Sequence, residues 1–134
     1  MPQGFVVIGV GAKTLVLEGE IADPANKKIN VRYQEPDFSK AINLGTVTQA
    51  IADLGSALGV SLQANEITDG IKDIPGVGNI INTAQIRITR LVIDTTTSPK
   101  QFEFGLGLDL SNSNIAIGEI KLVGLGITVK KTKA

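Results

Sequence analysis

The chain contains no histidine, no cysteine and no tryptophan. Without histidine it lacks the one side chain whose unperturbed pKa lies near neutrality, the usual general acid or base. Without cysteine or histidine it offers neither the ordinary ligand set of a zinc site nor a thiol nucleophile or redox pair. Aromatics are scarce too, with four Phe and one Tyr. Net charge is absent as well: thirteen acidic and thirteen basic residues cancel, and only Arg32, Arg87 and Arg90 are arginines. Nucleic-acid binders show a basic excess with arginines or aromatics to meet the bases, so nucleic acid is not an expected partner. Lys130, Lys131 and Lys133 are expected as a solubilising basic tail over residues 130–134. What is left for catalysis is Asp, Glu, Lys, Tyr33 and hydroxyls, which suit few mechanisms.

No long hydrophobic run occurs. The apolar start, Phe5-Val6-Val7-Ile8, has no charged flank and no small-residue cleavage pattern, so it reads as a strand and not as a signal peptide. No stretch approaches the roughly 18 apolar residues of a transmembrane helix. The chain is therefore expected to be soluble, and the missing cysteines leave its compartment open. Its 134 residues fit one domain, residues 1–134, whose core needs no disulfide or metal.

What is present is periodicity. Residues 5–10 form a continuous apolar run. Leu15, Leu17 and Ile21 then alternate with Val16, Glu18 and Glu20, and after the turn cluster Asp23-Pro24-Ala25-Asn26 the pattern resumes at Ile29, Val31 and Tyr33. These segments predict an antiparallel hairpin with one oily face. Val47, Ile51, Leu54 and Leu58 change the period to that of an amphipathic helix, expected from about residue 38 or 39 to residue 58 and ended by Gly59. Ile67, Ile71 and Ile74 predict a second, shorter helix over residues 65–74, stopped by Pro75 and weakened by Gly70.

The last third is β again. Ile86 and Ile88 share one phase and Leu91 and Ile93 the other, which predicts a bulge near Thr89-Arg90. Phe102, Phe104, Leu106, Leu108 and Leu110 alternate without a break. Ser111-Asn112-Ser113-Asn114 is a turn, and residues 115–129 read as one long, bent return strand. The fold class is α+β: a twisted antiparallel sheet, built from an N-terminal hairpin and a C-terminal meander, packed on one long helix and a short second one.

Five constellations invite a chemical reading. Gly9-Val10-Gly11-Ala12-Lys13-Thr14 resembles a phosphate loop, but Ala12 separates Gly11 from Lys13 and a strand follows, so a hairpin turn is expected. Glu66, Asp69 and Asp73 share a helical face at spacings of three and four, yet Lys72 sits among them and the reading is a solvated face. Asp109, Ser111, Asn112, Ser113 and Asn114 offer alternating oxygens without the glycine and distal glutamate of a calcium loop. Glu18 and Glu20 lie on one side of a strand about 7 Å apart. That spacing suits a glycosidase pair, but the aromatic platforms of such sites are missing. Finally, Val47, Ile51, Leu54, Leu58, Phe102, Phe104 and Leu106 form an apolar face able to serve as core, ligand cavity or interface.

Several segments carry a resemblance. Leu17-Glu18-Gly19-Glu20 is followed by Ile29-Asn30-Val31-Arg32-Tyr33, then Leu58-Gly59-Val60 and Asp73-Ile74-Pro75-Gly76-Val77-Gly78. Leu91-Val92-Ile93-Asp94-Thr95-Thr96-Thr97 then precedes Phe102-Glu103-Phe104-Gly105-Leu106. From about Leu15 to Val129 this layout resembles a β-rich unit of very large bacterial and fungal proteins of uncharacterised function, from which it departs as one short unit. The resemblance supplies no catalytic residues and implies a building block that stacks or pairs with others.

The expected function is thus non-catalytic: a structural or protein-interaction module that self-associates or docks into a larger assembly, with no cofactor and no metal. The alternative is a carrier of a lipid or other apolar small molecule held between helix and sheet. A carboxylate-dependent enzyme is the third reading.

Overall fold

The computed structural model describes residues 2–134. Strands β1 (Gln3–Val10) and β2 (Lys13–Asp23) pair antiparallel in unbroken register from Gln3↔Glu20 to Val10↔Lys13. The two-residue loop Gly11-Ala12 joins them, with Gly11 at φ +60°, so the phosphate-loop lookalike is a hairpin turn. A single helical turn, Pro24–Asn26, leads to β3 (Lys28–Gln34), which pairs antiparallel with β2.

The chain next makes a single tight turn, Phe38–Lys40, and a short strand, β4 (Ile42–Gly45), before α1 begins at Val47 and runs to Leu58. This corrects the expected helix start from residue 38 or 39 to Val47. The helical spacing of apolar residues begins only at Val47. Upstream, Asp37 accepts hydrogen bonds from the Ser39 N–H (3.0 Å) and hydroxyl (2.6 Å), which closes a local turn instead. Thr46 and Gln49 form a reciprocal capping box at the start of α1. Its end is as expected, with Gly59 at φ +67° donating its N–H to the Gly55 carbonyl.

The second helix, α2 (Ala64–Thr68), is half the expected length. Beyond it, i+3→i backbone bonds from Ile74 to Ile71, Val77 to Ile74 and Ile80 to Val77 build consecutive turns. The apolar spacing there is three from Ile71 to Ile80, which puts Ile71 and Val77 in the core and packs Ile74 and Ile80 against it without a continuing α-helix.

Strands β5 (Ile86–Asp94) and β6 (Lys100–Asp109) follow, with a register shift between Ile88 and Arg90 where the phase change predicts a bulge. The expected single return strand is divided. A two-residue hairpin, β7 (Ala116–Ile117) and β8 (Ile120–Lys121), pairs with itself, with Gly118 at φ +60° in its turn. Only then does β9 (Gly124–Lys133) lie along β6. The three lysines of the expected tail therefore belong to the sheet.

The main sheet has seven strands in the order β1-β2-β3-β5-β6-β9, with β4 beside β5 and every pairing antiparallel. One face is covered. Leu15, Leu17, Val31, Ile88, Leu91 and Phe104 are sealed there against Val47, Ala50 and Leu54 of α1 and Ile67 of α2. The fold is α+β, one large antiparallel sheet with a main helix and a short second helix, and none of its helices is long and apolar enough to cross a membrane among the described residues.

Candidate interaction surface

Side chains of opposite phase on these strands project from the other face of the sheet, which neither helix covers. On β1 and β2 they are Phe5, Val7, Val16 and Glu18, with Phe5↔Glu18 and Val7↔Val16 directly paired across the strands. Phe5 is 64% exposed, Val7 54% and Val16 49%. Three large apolar groups thus sit together beside the β1 edge, left in contact with water.

Across the sheet the face turns polar and then hollow. Gly107 on β6 lies opposite Gly126 on β9, flanked on the same face by Gly105 and Gly124, and the missing side chains leave a groove of about 510 Å³. Phe38 is laid into it from the loop before β4. A Cβ on Gly107 or Gly124 would come within 2.7 Å of its ring, so these two positions stay bare to receive the ring. The Arg87 guanidinium stacks 5.9 Å from the ring centroid. It also donates to Asp109 through Nε (3.1 Å) and to the Ala41 carbonyl through Nη1 (2.7 Å).

Two further hollows, of about 420 and 430 Å³, continue this furrow toward β1. Arg90 borders the first two hollows, and Asn30 and Arg32 border the last two. Arg90 is held by Gln34 (3.2 Å) and Glu103 (3.5 Å), so its charge is answered within the fold.

The carboxylates singled out in the sequence do not converge. Glu18 and Glu20 share the open face beside Asn30 and Arg32, as the alternation implies, and border the shallow third hollow. Glu66 is on α2, whereas Asp69 and Asp73 fall in the turns beyond it, and Asp69 pairs with Lys72 at 3.3 Å. Glu66 instead meets Lys131 and accepts the Gln63 N–H. That backbone bond first, and Lys131 second, hold its carboxyl below the usual range. Asp109 accepts the Ser111 hydroxyl (2.6 Å) and N–H (3.0 Å), which with Arg87 also lower its pKa. The oxygens of its loop thus close a turn. Among the described residues no group of three acidic side chains comes together to hold a metal ion.

Of the seven residues of the apolar face, Val47, Leu54, Phe102, Phe104 and Leu106 are buried in the single core, and Ile51 and Leu58 pack against it half-buried. Sequence reasoning selected the covered face of the sheet. The open-face cluster Phe5, Val7 and Val16 it missed, although the unbroken run over residues 5–8 carried the signal: a strand apolar in both phases has apolar side chains on both faces. No protein-family model, no curated protein and no solved structure matches the chain.

Proposed function

We propose that this chain is a non-catalytic protein-interaction module that self-associates. The observation that carries the reading is the cluster of Phe5, Val7 and Val16 on an uncovered sheet face at its edge. Two features support it. The formal charge of zero gives copies little mutual repulsion. The charged groups of the open face at Arg87, Arg90, Glu103 and Asp109 are occupied with one another. An apolar-ligand carrier is the weaker reading, because the side chains that would line its cavity between helix and sheet fill the core.

Native mass spectrometry of the purified chain tests this, since it reports stoichiometry and bound cargo together. A discrete oligomer of bare chains is the expected result. A bare monomer at high micromolar concentration overturns the reading, and a monomer with added mass replaces it with the carrier.

A further inference from the structure

The two edges of the sheet are built differently. The β9 edge carries Lys130, Lys131 and Lys133, the residue type that keeps an exposed edge from pairing. The β1 edge, Gln3–Val10, has no charge, no proline and no bulge over eight residues. Its free backbone groups can be assigned from its register. Val10 and Lys13 flank a two-residue loop and so form a hydrogen-bonded pair, after which such pairs alternate. The Ile21 N–H bond to the Pro2 carbonyl (3.0 Å) at the far end keeps the same alternation. Gly4, Val6 and Ile8 therefore direct their N–H and C=O groups to β2. Gln3, Phe5, Val7 and Gly9 direct theirs away from it, and among the described residues no turn, loop or cap bond of the backbone reaches them.

We propose that β1 pairs antiparallel with β1 of a second copy about a two-fold axis at Val6, extending the two sheets into one. The inference rests on the self-association reading and specifies its geometry. This register sets Gln3 against Gly9 of the other copy and Phe5 against its Val7, and the reciprocal pairs follow from the symmetry. All four residues with outward backbone groups then find partners. Both aromatic–β-branched contacts fall on the open face, where Phe5 and Val7 are exposed. No charge is placed opposite another, because β1 has none. The β9 edge as occupant would instead set lysines against an apolar strand that offers no counter-charge. An isologous pairing of this kind closes at two copies and does not propagate.

The absence of cysteine makes the test direct. On the axis Val6 faces Val6 of the other copy as a non-hydrogen-bonded pair, with Cα atoms about 4.5 Å apart, within reach of a disulfide. Val6→Cys should form a disulfide dimer under mild oxidation, and Thr132→Cys on the β9 edge should not. Phe5→Lys, at an exposed position that leaves the fold intact, should weaken dimerisation roughly tenfold or more in sedimentation velocity. A wild-type oligomer whose Val6→Cys variant stays unlinked, whose Thr132→Cys variant links, or whose Phe5→Lys variant assembles unchanged overturns the β1 pairing while leaving self-association standing. A wild-type monomer at high micromolar concentration overturns both.

Discussion

The Lys131 ammonium lies 3.1 and 3.0 Å from the two carboxylate oxygens of Glu66, joining the last strand of the sheet to the second helix across 65 residues of sequence. Both side chains are only about a quarter exposed, at 26% and 27%. Two residues on, the Lys133 ammonium donates to the Gly59 carbonyl (2.6 Å), placing a cation at the C-terminal end of α1 where the helix dipole favours one. Two of the three lysines that composition assigns to a solubilising tail, Lys131 and Lys133, hold the helices to the sheet. Lys131→Met should cost about 1 kcal/mol in urea unfolding, near the upper end for partly exposed pairs, and Lys133→Met less. An unchanged midpoint for Lys131→Met would show the pair to be an idle surface contact.

Three carboxylates shape the acid limb of stability. Glu66, Asp109 and Asp23 all have carboxyls held below their ordinary values, Asp23 mainly by the Asn26 side chain. A depressed folded pKa means the unfolded chain binds protons first as pH falls. The contribution is therefore complete above about pH 5 and is lost through the usual carboxylate range and below it. Stability should be flat from about pH 5 to 7 and fall toward pH 2. Glu66→Gln should be less stable than the wild type at pH 7 and converge with it near pH 2. Parallel pH curves would refute the assignment.

Gly9 and Gly19 stand on neighbouring strands and should respond in opposite directions to alanine. Gly9 has open space where a Cβ would be, so Gly9→Ala should be neutral or stabilising by up to about 1 kcal/mol. Gly19 has φ +152°, and its Cβ would run into the Asn30 carbonyl oxygen and the Val31 Cα (3.0 Å), both backbone atoms that cannot swing aside. Gly19→Ala should cost about 2 kcal/mol or more and loosen the β2–β3 pairing. Thermal unfolding of the two variants decides it.

The contrast between legible and illegible parts of this fold follows the range of the forces involved. The bulge at Ile88–Arg90, the cap at Gly59 and the hairpin at Gly11 are decided by neighbours in sequence, and phase or a single glycine announces each. The spacing of three in Ile71, Ile74, Val77 and Ile80 was harder, because its first steps also fit a helix and only the turn bonds distinguish them. The β4 strand depends on pairing with β5, more than forty residues away, and nothing local to residues 42–45 requires it. The open face was hidden for a related reason. Alternation tells that a strand has two faces, but not which face the helices cover once both are apolar, as in β1.

Leu54 and Leu58 test the weight of the helix-to-sheet seam. Leu54 is fully buried and Leu58 is half-buried at the rim of the same cluster. Leu54→Ala should cost about 3–5 kcal/mol and Leu58→Ala about half that or less, since the rim can collapse or admit water where the centre leaves a cavity. Near-neutral behaviour of Leu54→Ala would mean that the seam already holds empty space, which would revive the carrier reading.

β6 and β9 are bare where Phe38 crosses them. If Gly107 is glycine because the Phe38 ring occupies its side-chain space, an added methyl matters only while the ring is present. Gly107→Ala alone brings a Cβ to 2.7 Å from Cε1 of Phe38. It should cost about 1–3 kcal/mol as the ring is pushed from its groove and from Arg87. In a Phe38→Ala background the nearest remaining atom is the Leu125 carbonyl oxygen at 3.6 Å, an ordinary contact. There the same substitution should be neutral or stabilising by about 0.5–1 kcal/mol, the usual advantage of alanine over glycine within a strand. The two substitutions should therefore couple by 1 kcal/mol or more in a double-mutant cycle read by urea unfolding, as expected for groups that share one volume. Additive costs would mean that the glycine answers to the backbone of the paired strands, and that the ring merely fills a space left for another reason.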